Sequence, residues 1–218
     1  MYTFETLDIA GYRNQPVANT LFRQKKTDRI AIVLPGVGYV CQMPLLYYAT
    51  QVALALSMDV LWVEYNYIRS PAYRALSDVE REQQLFVDVT AACRAALDQR
   101  PYRDLALIGK SLGTVAMSHL IASDARLARS RDVWLTPVLR NEMVRTRLKE
   151  RRNALVVLGT ADPYCDRNYI AEIRAMASNS VVLVDGADHS MEIPGDVLKS
   201  LAVLEKVTRA LQSFLAGR

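Results

Sequence analysis

The sequence predicts an α/β fold, a mostly parallel sheet with helices on both faces, and three observations predict it. Short, largely continuous apolar runs recur along the 218 residues, helical periodicity fills the intervals between them, and no linker or low-complexity tract divides the chain. The apolar runs lie at residues 30–34, 60–63, 105–108, 133–135, 154–158 and 181–184. A strand covered on one face alternates apolar with polar, whereas one buried on both faces stays apolar throughout, so these runs read as parallel strands.

The helices follow in order. Residues 43–57 and 78–99 carry helical patterns, the second through Val79, Leu85, Phe86, Val89, Cys93 and Ala96. Residues 114–123 read as a helix directly after an apolar run, and residues 196–215 repeat the stripe through Val197, Leu201, Leu204, Val207, Leu211 and Phe214. Before the first buried run, residues 2–9 and 17–24 have strand composition with Asn14-Gln15-Pro16 as a break, which predicts an antiparallel edge pair. The longest irregular piece is 66–76, and a single domain over 1–218 is expected.

Composition narrows the functional classes. An apolar fraction of 51% and a charged fraction of 23% are those of a globular protein with a full core. No run reaches the ~18 uncharged apolar residues of a membrane span, and the first residues lack the basic and apolar regions of a signal peptide. A cytoplasmic protein is expected. Three cysteines, Cys41, Cys93 and Cys165, are an odd number without metal-site spacing, consistent with reduced thiols and no metal. The net charge of +4 is modest, and Arg145, Arg147, Lys149, Arg151 and Arg152 read as a solvated helix face, so no nucleic-acid partner is expected.

The chemistry-bearing segment is Gly109-Lys110-Ser111-Leu112-Gly113, between the run at 105–108 and the helix at 114–123. A G-x-S-x-G turn between strand and helix holds its serine on a tight, strained backbone with the hydroxyl exposed, and the glycines allow close approach of neighbouring elements. The helix N-terminus adds N–H groups where an oxyanion would form, and Leu112 N–H is one expected donor. A bland reading, Ser111 as a helix N-cap, competes.

A nucleophilic serine needs a base, and the chain has two histidines, His119 and His189. His119 lies eight residues beyond Ser111 on the same predicted helix, ~12 Å along its axis, out of reach. His189 lies in a turn-rich loop just after the run at 181–184, at the strand edge where catalytic groups of open parallel sheets gather. The acid is read as Asp162, in the loop after 154–158, with Asp166 and then Asp185 as alternatives and Asp188 least favoured. For the second oxyanion donor, Pro35-Gly36-Val37-Gly38-Tyr39 leaves a strand with two glycines, and Val37 N–H is chosen, with Gly38 as alternative. Tyr39, Tyr65, Tyr67, Thr136, Tyr164 and Met191 follow strand ends or flank these residues and are candidate lining groups, with packing at the sheet edge as the competing role.

Taken together, residues 35–39, 109–113, 159–162 and 186–189 resemble the α/β-hydrolase superfamily in order, spacing and strand context. The chain looks most like its small lidless serine hydrolases, related to dienelactone hydrolases, carboxylesterases and thioesterases. It departs from true dienelactone hydrolases, whose nucleophile is cysteine, and from the His-Gly oxyanion pattern common in lipases, having Pro35-Gly36. The resemblance implies an eight-stranded, mostly parallel sheet, a Ser111, His189 and Asp162 triad with Val37 and Leu112 as oxyanion donors, and no cofactor. Only residues 136–153 separate two core strands where many members carry a lid, so an open pocket is expected. The functional expectation is cleavage of a small-molecule carboxylic ester or thioester through an acyl-enzyme. An acyltransferase and a non-catalytic binding protein are the alternatives, and a homodimer stays open.

Overall fold

A computed structural model of the chain describes residues 2–175 and 180–217. Its strands are β1 Tyr2–Glu5, β2 Asn19–Gln24, β3 Arg29–Leu34, β4 Asp59–Val63, β5 Asp104–Lys110, β6 Arg131–Leu135, β7 Ala154–Gly159 and β8 Ser180–Val184. Its helices are α1 Pro44–Ala55, α2 Pro71–Arg74, α3 Asp78–Leu97, α4 Leu112–Ser123, α5 Glu142–Glu150, α6 Arg167–Ala175 and α7 Val197–Leu215. The strands form one eight-stranded sheet in the order β1-β2-β4-β3-β5-β6-β7-β8. β1 and β2 pair antiparallel, β2 pairs antiparallel with β4, and every other pairing is parallel.

Both faces of the parallel strands are buried, which accounts for the continuous apolar runs. In β3, Ile30, Ile32 and Leu34 point into one core with α3, α4, α5 and α6, while Ala31 and Val33 point into the other with α1 and α7. β7 divides in the same way, Val156 and Leu158 against Leu155 and Val157.

The element boundaries follow identifiable chemistry. α3 begins at a capping box in which Ser77 and Glu80 satisfy each other's amides. α1 and α2 carry proline in their first turn, where its missing N–H costs nothing. The expected antiparallel pair at the N-terminus is present, but β2 also pairs with β4, so only β1 stands at that edge. Residues 66–76, expected to be irregular, contain a 3₁₀ turn at Tyr67–Arg69 and the short α2. Rings order that segment, with Tyr65 stacked on Tyr67 at 4.7 Å and Tyr67 on Tyr73 at 4.3 Å. Of the basic stretch, Arg145, Arg147 and Lys149 lie on α5, which is anchored by buried Val144 and Leu148, whereas Arg151 follows the helix and is buried against Asp132 instead of solvated. Among the described residues, no helix is long and apolar enough to cross a membrane.

The chain leaves β3 for β4 on one side and reaches β5 on the other. Strand order therefore reverses between β3 and β5, which opens a crevice at their C-terminal ends.

Candidate active site

The loops that follow β3, β5, β7 and β8 converge on that crevice. After β5, Ser111 has φ 53° and ψ −116°, the left-handed half of the Ramachandran map that a serine adopts only under constraint. The constraints are visible. Its N–H donates to Leu135 O at 3.0 Å, and its carbonyl accepts from Thr114 N at 2.8 Å and Thr114 Oγ1 at 2.6 Å. A Cβ on Gly113 would lie 2.0 Å from Leu34 O, and one on Gly109 would lie 2.7 Å from Gly113 O, so neither glycine tolerates a side chain without movement. The N-cap reading of Ser111 fails, because its hydroxyl makes no capping bond and turns into the crevice.

His189 meets it there, with Nε2 2.8 Å from Ser111 Oγ and Nδ1 2.8 Å from Asp162 Oδ2. A carboxylate only accepts, so Nδ1 carries the proton and Nε2 accepts from the serine hydroxyl. Asp162 is buried, and its other oxygen accepts from Tyr164 N at 2.8 Å. The two loops touch through Ala161 N, which donates to Ala187 O at 3.0 Å.

The remaining acidic candidates are occupied elsewhere. Asp166 accepts from Asn168 N and Tyr169 N and so starts α6, Asp185 accepts from Thr160 Oγ1, and Asp188 accepts from Ser190 N and Glu192 N within its own loop. His119 packs on Phe86 at 4.1 Å with Nε2 3.1 Å from Thr90 Oγ1, and burial lowers its pKa. It lies away from the crevice.

A cleft of about 550 Å³ sits over Ser111 and His189. Val37, Gly38 and Leu112 line it, and among the described residues the amides of Val37 and Leu112 donate to no protein acceptor. Gly36 N donates to Tyr39 O at 3.0 Å, which holds the β3 loop in a tight turn beside the serine. Tyr39 and Tyr164 line the cleft, and the Tyr164 ring lies 4.9 Å from His189.

Four of the six expected lining residues do not reach it. Tyr65 is buried behind the β3 loop, its hydroxyl donating to Pro35 O at 2.7 Å, so it braces the turn instead of facing the cleft. Met191 is buried with φ 62° and lines a neighbouring cavity of about 360 Å³ that shares only Tyr39 and Ser190 with the cleft. Tyr67 is likewise internal, bonded to Asp88, and Thr136 is buried at the end of β6 with φ 43°.

A family model for alpha/beta hydrolase domains matches residues 29–216. The chain belongs to the alpha/beta hydrolase family. A sequence comparison with curated proteins finds no match. Among solved structures, this alpha/beta hydrolase resembles a putative alpha/beta hydrolase from Agrobacterium tumefaciens (TM-score 0.73, 14% identity, covering 99% of this chain and 98% of that one). It also resembles an esterase from Pyrococcus furiosus (TM-score 0.71, 14% identity, 99% and 92% covered). A serine hydrolase without a lid from Xanthomonas campestris is similar too (TM-score 0.68, 17% identity, 98% and 94% covered). At such identities the shared property is the fold.

One residue of this hydrolase's cleft was passed over in reading the sequence. Lys110 is 2% exposed, lines the cleft beside Ser111, and has its Nζ 4.7 Å from the Tyr39 ring centroid. Burial lowers its pKa to about 8, against an opposing pull from Asp162 and Asp188. The available signal was a lysine closing an apolar strand, where a solvated lysine has no place.

Proposed function

We propose that this protein is a serine hydrolase that cleaves a carboxylic ester or thioester of a small molecule through an acyl-enzyme on Ser111. The observation that carries the reading is the continuous hydrogen-bonded line from Ser111 through His189 to the buried Asp162, each step 2.8 Å. His189 Nε2 takes the hydroxyl proton as Ser111 Oγ attacks the acyl carbon, and Asp162 steadies the imidazolium that forms. The carbonyl oxygen, now an oxyanion, receives hydrogen bonds from Val37 N–H and Leu112 N–H. His189 returns the proton to the departing alcohol or thiol. Water, activated by the same nitrogen, then releases the carboxylic acid and restores Ser111. Tyr39 and Tyr164 flank the acyl and leaving groups.

Several features support this over a scaffold that has lost turnover. Ser111 holds a strained backbone whose one evident use is to present its hydroxyl, and His189 already sits within transfer distance of it. The esterase and lidless serine hydrolase among the similar structures agree with the reaction class. The test is labelling with a fluorophosphonate probe. The parent protein is expected to label at Ser111 and Ser111→Ala to remain unlabelled. A folded parent that never labels and cleaves no ester or thioester overturns the reading.

A further inference from the structure

Lys110 poses a problem that acyl transfer alone does not solve. Along β5 the side chains alternate, and Ala106 and Ile108 point toward α1 and α7. Lys110, two residues on, takes the same side, under Tyr39 of the β3 loop. Among the described residues it makes no hydrogen bond and no ion pair, and its contact of known geometry is the Tyr39 ring. Apart from His189, no other ionisable cation lines the cleft among the described residues. The carboxylates nearest in effect are already engaged, Asp162 with His189 and Tyr164 N, and Asp188 with Ser190 N and Glu192 N.

An ammonium held out of water without a partner is disfavoured, and a neutral straight chain would fill the same space. Its retention at the wall of the cleft is accounted for if the missing partner arrives with the substrate. We propose that Lys110 is a specificity-determining residue that selects esters or thioesters carrying a carboxylate near the scissile carbonyl. One ammonium balances one negative charge. A dianionic phosphate would leave net negative charge beside Asp162 and Asp188, and among the described residues no guanidinium fork lines the cleft to hold it. This selectivity rests on the reading of Ser111 as nucleophile, and the experiment separates the two.

Mono-p-nitrophenyl adipate and its neutral methyl ester differ by a single charge. The parent is expected to favour the anion at least ten-fold in kcat/KM, and Lys110→Met and Lys110→Gln to lower that ratio at least ten-fold. In the parent the preference should also fall as pH rises through about 8, where Lys110 loses its proton, a readout that needs no variant. Binding of monomethyl adipate, followed by calorimetry, should weaken at least ten-fold in Lys110→Met whether or not turnover occurs. An equal anion-to-neutral ratio in parent and variants, or equal binding of the carboxylate, overturns the selectivity while leaving fluorophosphonate labelling of Ser111 intact. Loss of that labelling in the parent strikes the nucleophile, and Lys110-dependent binding of the carboxylate would survive it.

Discussion

The two ends of the parallel sheet carry similar charges and treat them oppositely. At the N-terminal ends of the strands, buried Asp59 and Asp132 and half-buried Asp104 are all matched. Asp59 accepts from Gln24 N and from the Tyr102 hydroxyl and pairs with Arg100. Asp104 lies between Arg29 and Arg131, and Asp132 pairs with Arg151, whose other nitrogens bond the carbonyls of Leu127, Ala128 and Ser130. Arg29 and Arg131 also reach Leu215 O at the end of α7. At the C-terminal ends, Ser111 is strained, and among the described residues the Val37 and Leu112 amides are unmatched and Lys110 is buried without a counter-ion. Saturated polar groups fix a fold, whereas unsaturated ones are positioned to bind something that comes and goes. The contrast predicts that substitutions at one end cost stability and those at the other cost activity.

The largest effect should come from Ser111, His189 and Asp162, the proposed triad. Ser111→Ala and His189→Ala are each expected to lower kcat on a model ester by ~10⁴-fold or more, and Asp162→Asn by about the same order through loss of the correct imidazole tautomer. The thermal melt of Ser111→Ala should match the parent or exceed it, since His189 Nε2 faces the open cleft where water replaces the lost hydroxyl, whereas His189→Ala leaves buried Asp162 Oδ2 without its partner and should melt lower. A triad variant that keeps parental kcat on a hydrolysed ester would break the division between the two ends.

Arg151→Met should do the reverse. Removing it leaves Asp132 buried and charged with Ser130 Oγ as its other donor and takes a donor from the carbonyls of Ala128 and Ser130, at a cost of about 3–5 kcal/mol in denaturant unfolding. pH provides a check on the cause. Burial raises Asp132 to about 6 in spite of Arg151. A carboxyl raised in the folded state favours folding when protonated, and that contribution is lost as pH rises from about 4 through 6. The loss caused by Arg151→Met should therefore shrink as pH is lowered from 7 to 4. A pH-independent loss would mean that the carbonyl bonds, and not the charge, dominate.

Lys110→Met supplies the mirror image of that substitution. Its lowered pKa means that the folded state disfavours the ammonium, a cost present below about 8 that disappears as pH climbs toward the ordinary lysine range. The variant should therefore be more stable than the parent at pH 7, by on the order of 2 kcal/mol or ~4–8 °C in Tm, with the gain vanishing near pH 10. Destabilisation at pH 7 would show that Lys110 supports the fold and would break the comparison at its most informative residue.

The sequence made the sheet's interior and the meeting of Ser111, His189 and Asp162 legible for the same reason. Strands buried on both faces leave continuous apolar runs, and the strained turn requires Gly109 and Gly113 where Leu34 O and neighbouring backbone press in. Scarcity did the rest, since one of two histidines was out of reach. Side-chain direction was not legible. Tyr65 and Tyr164 both follow strands, yet Tyr65 turns back to brace Pro35 O, and only the three-dimensional path of the β3 loop decides that. α6 was also missed, although Asp166 supplies a capping carboxylate at its start, because Asp166 was read only as an alternative acid. Lys110 escaped because a motif whose second position accepts any residue hides whatever stands there.

The smallest test asks whether the N-terminal edge is saturated or redundant. Arg29 and Arg131 both bind Asp104, and both donate to Leu215 O, so losing Arg29 leaves Arg131 on these two acceptors and takes a donor only from Leu56 O. Arg29→Met should cost only about 1 kcal/mol, a fraction of the Arg151→Met loss, because the pair is also partly solvated. Burial pushes Asp104 up, but the Arg131 and Arg29 bonds outweigh it and its pKa is lowered. A lowered carboxyl contributes stability above its unfolded pKa of ~3.9 that is lost as pH falls further. The difference between parent and Arg29→Met should thus be constant near neutrality and narrow below about pH 4. If Arg29→Met instead costs as much as Arg151→Met, the two arginines act as one indivisible clamp. In that case a double-mutant cycle with Arg131→Met would return a coupling as large as either single loss.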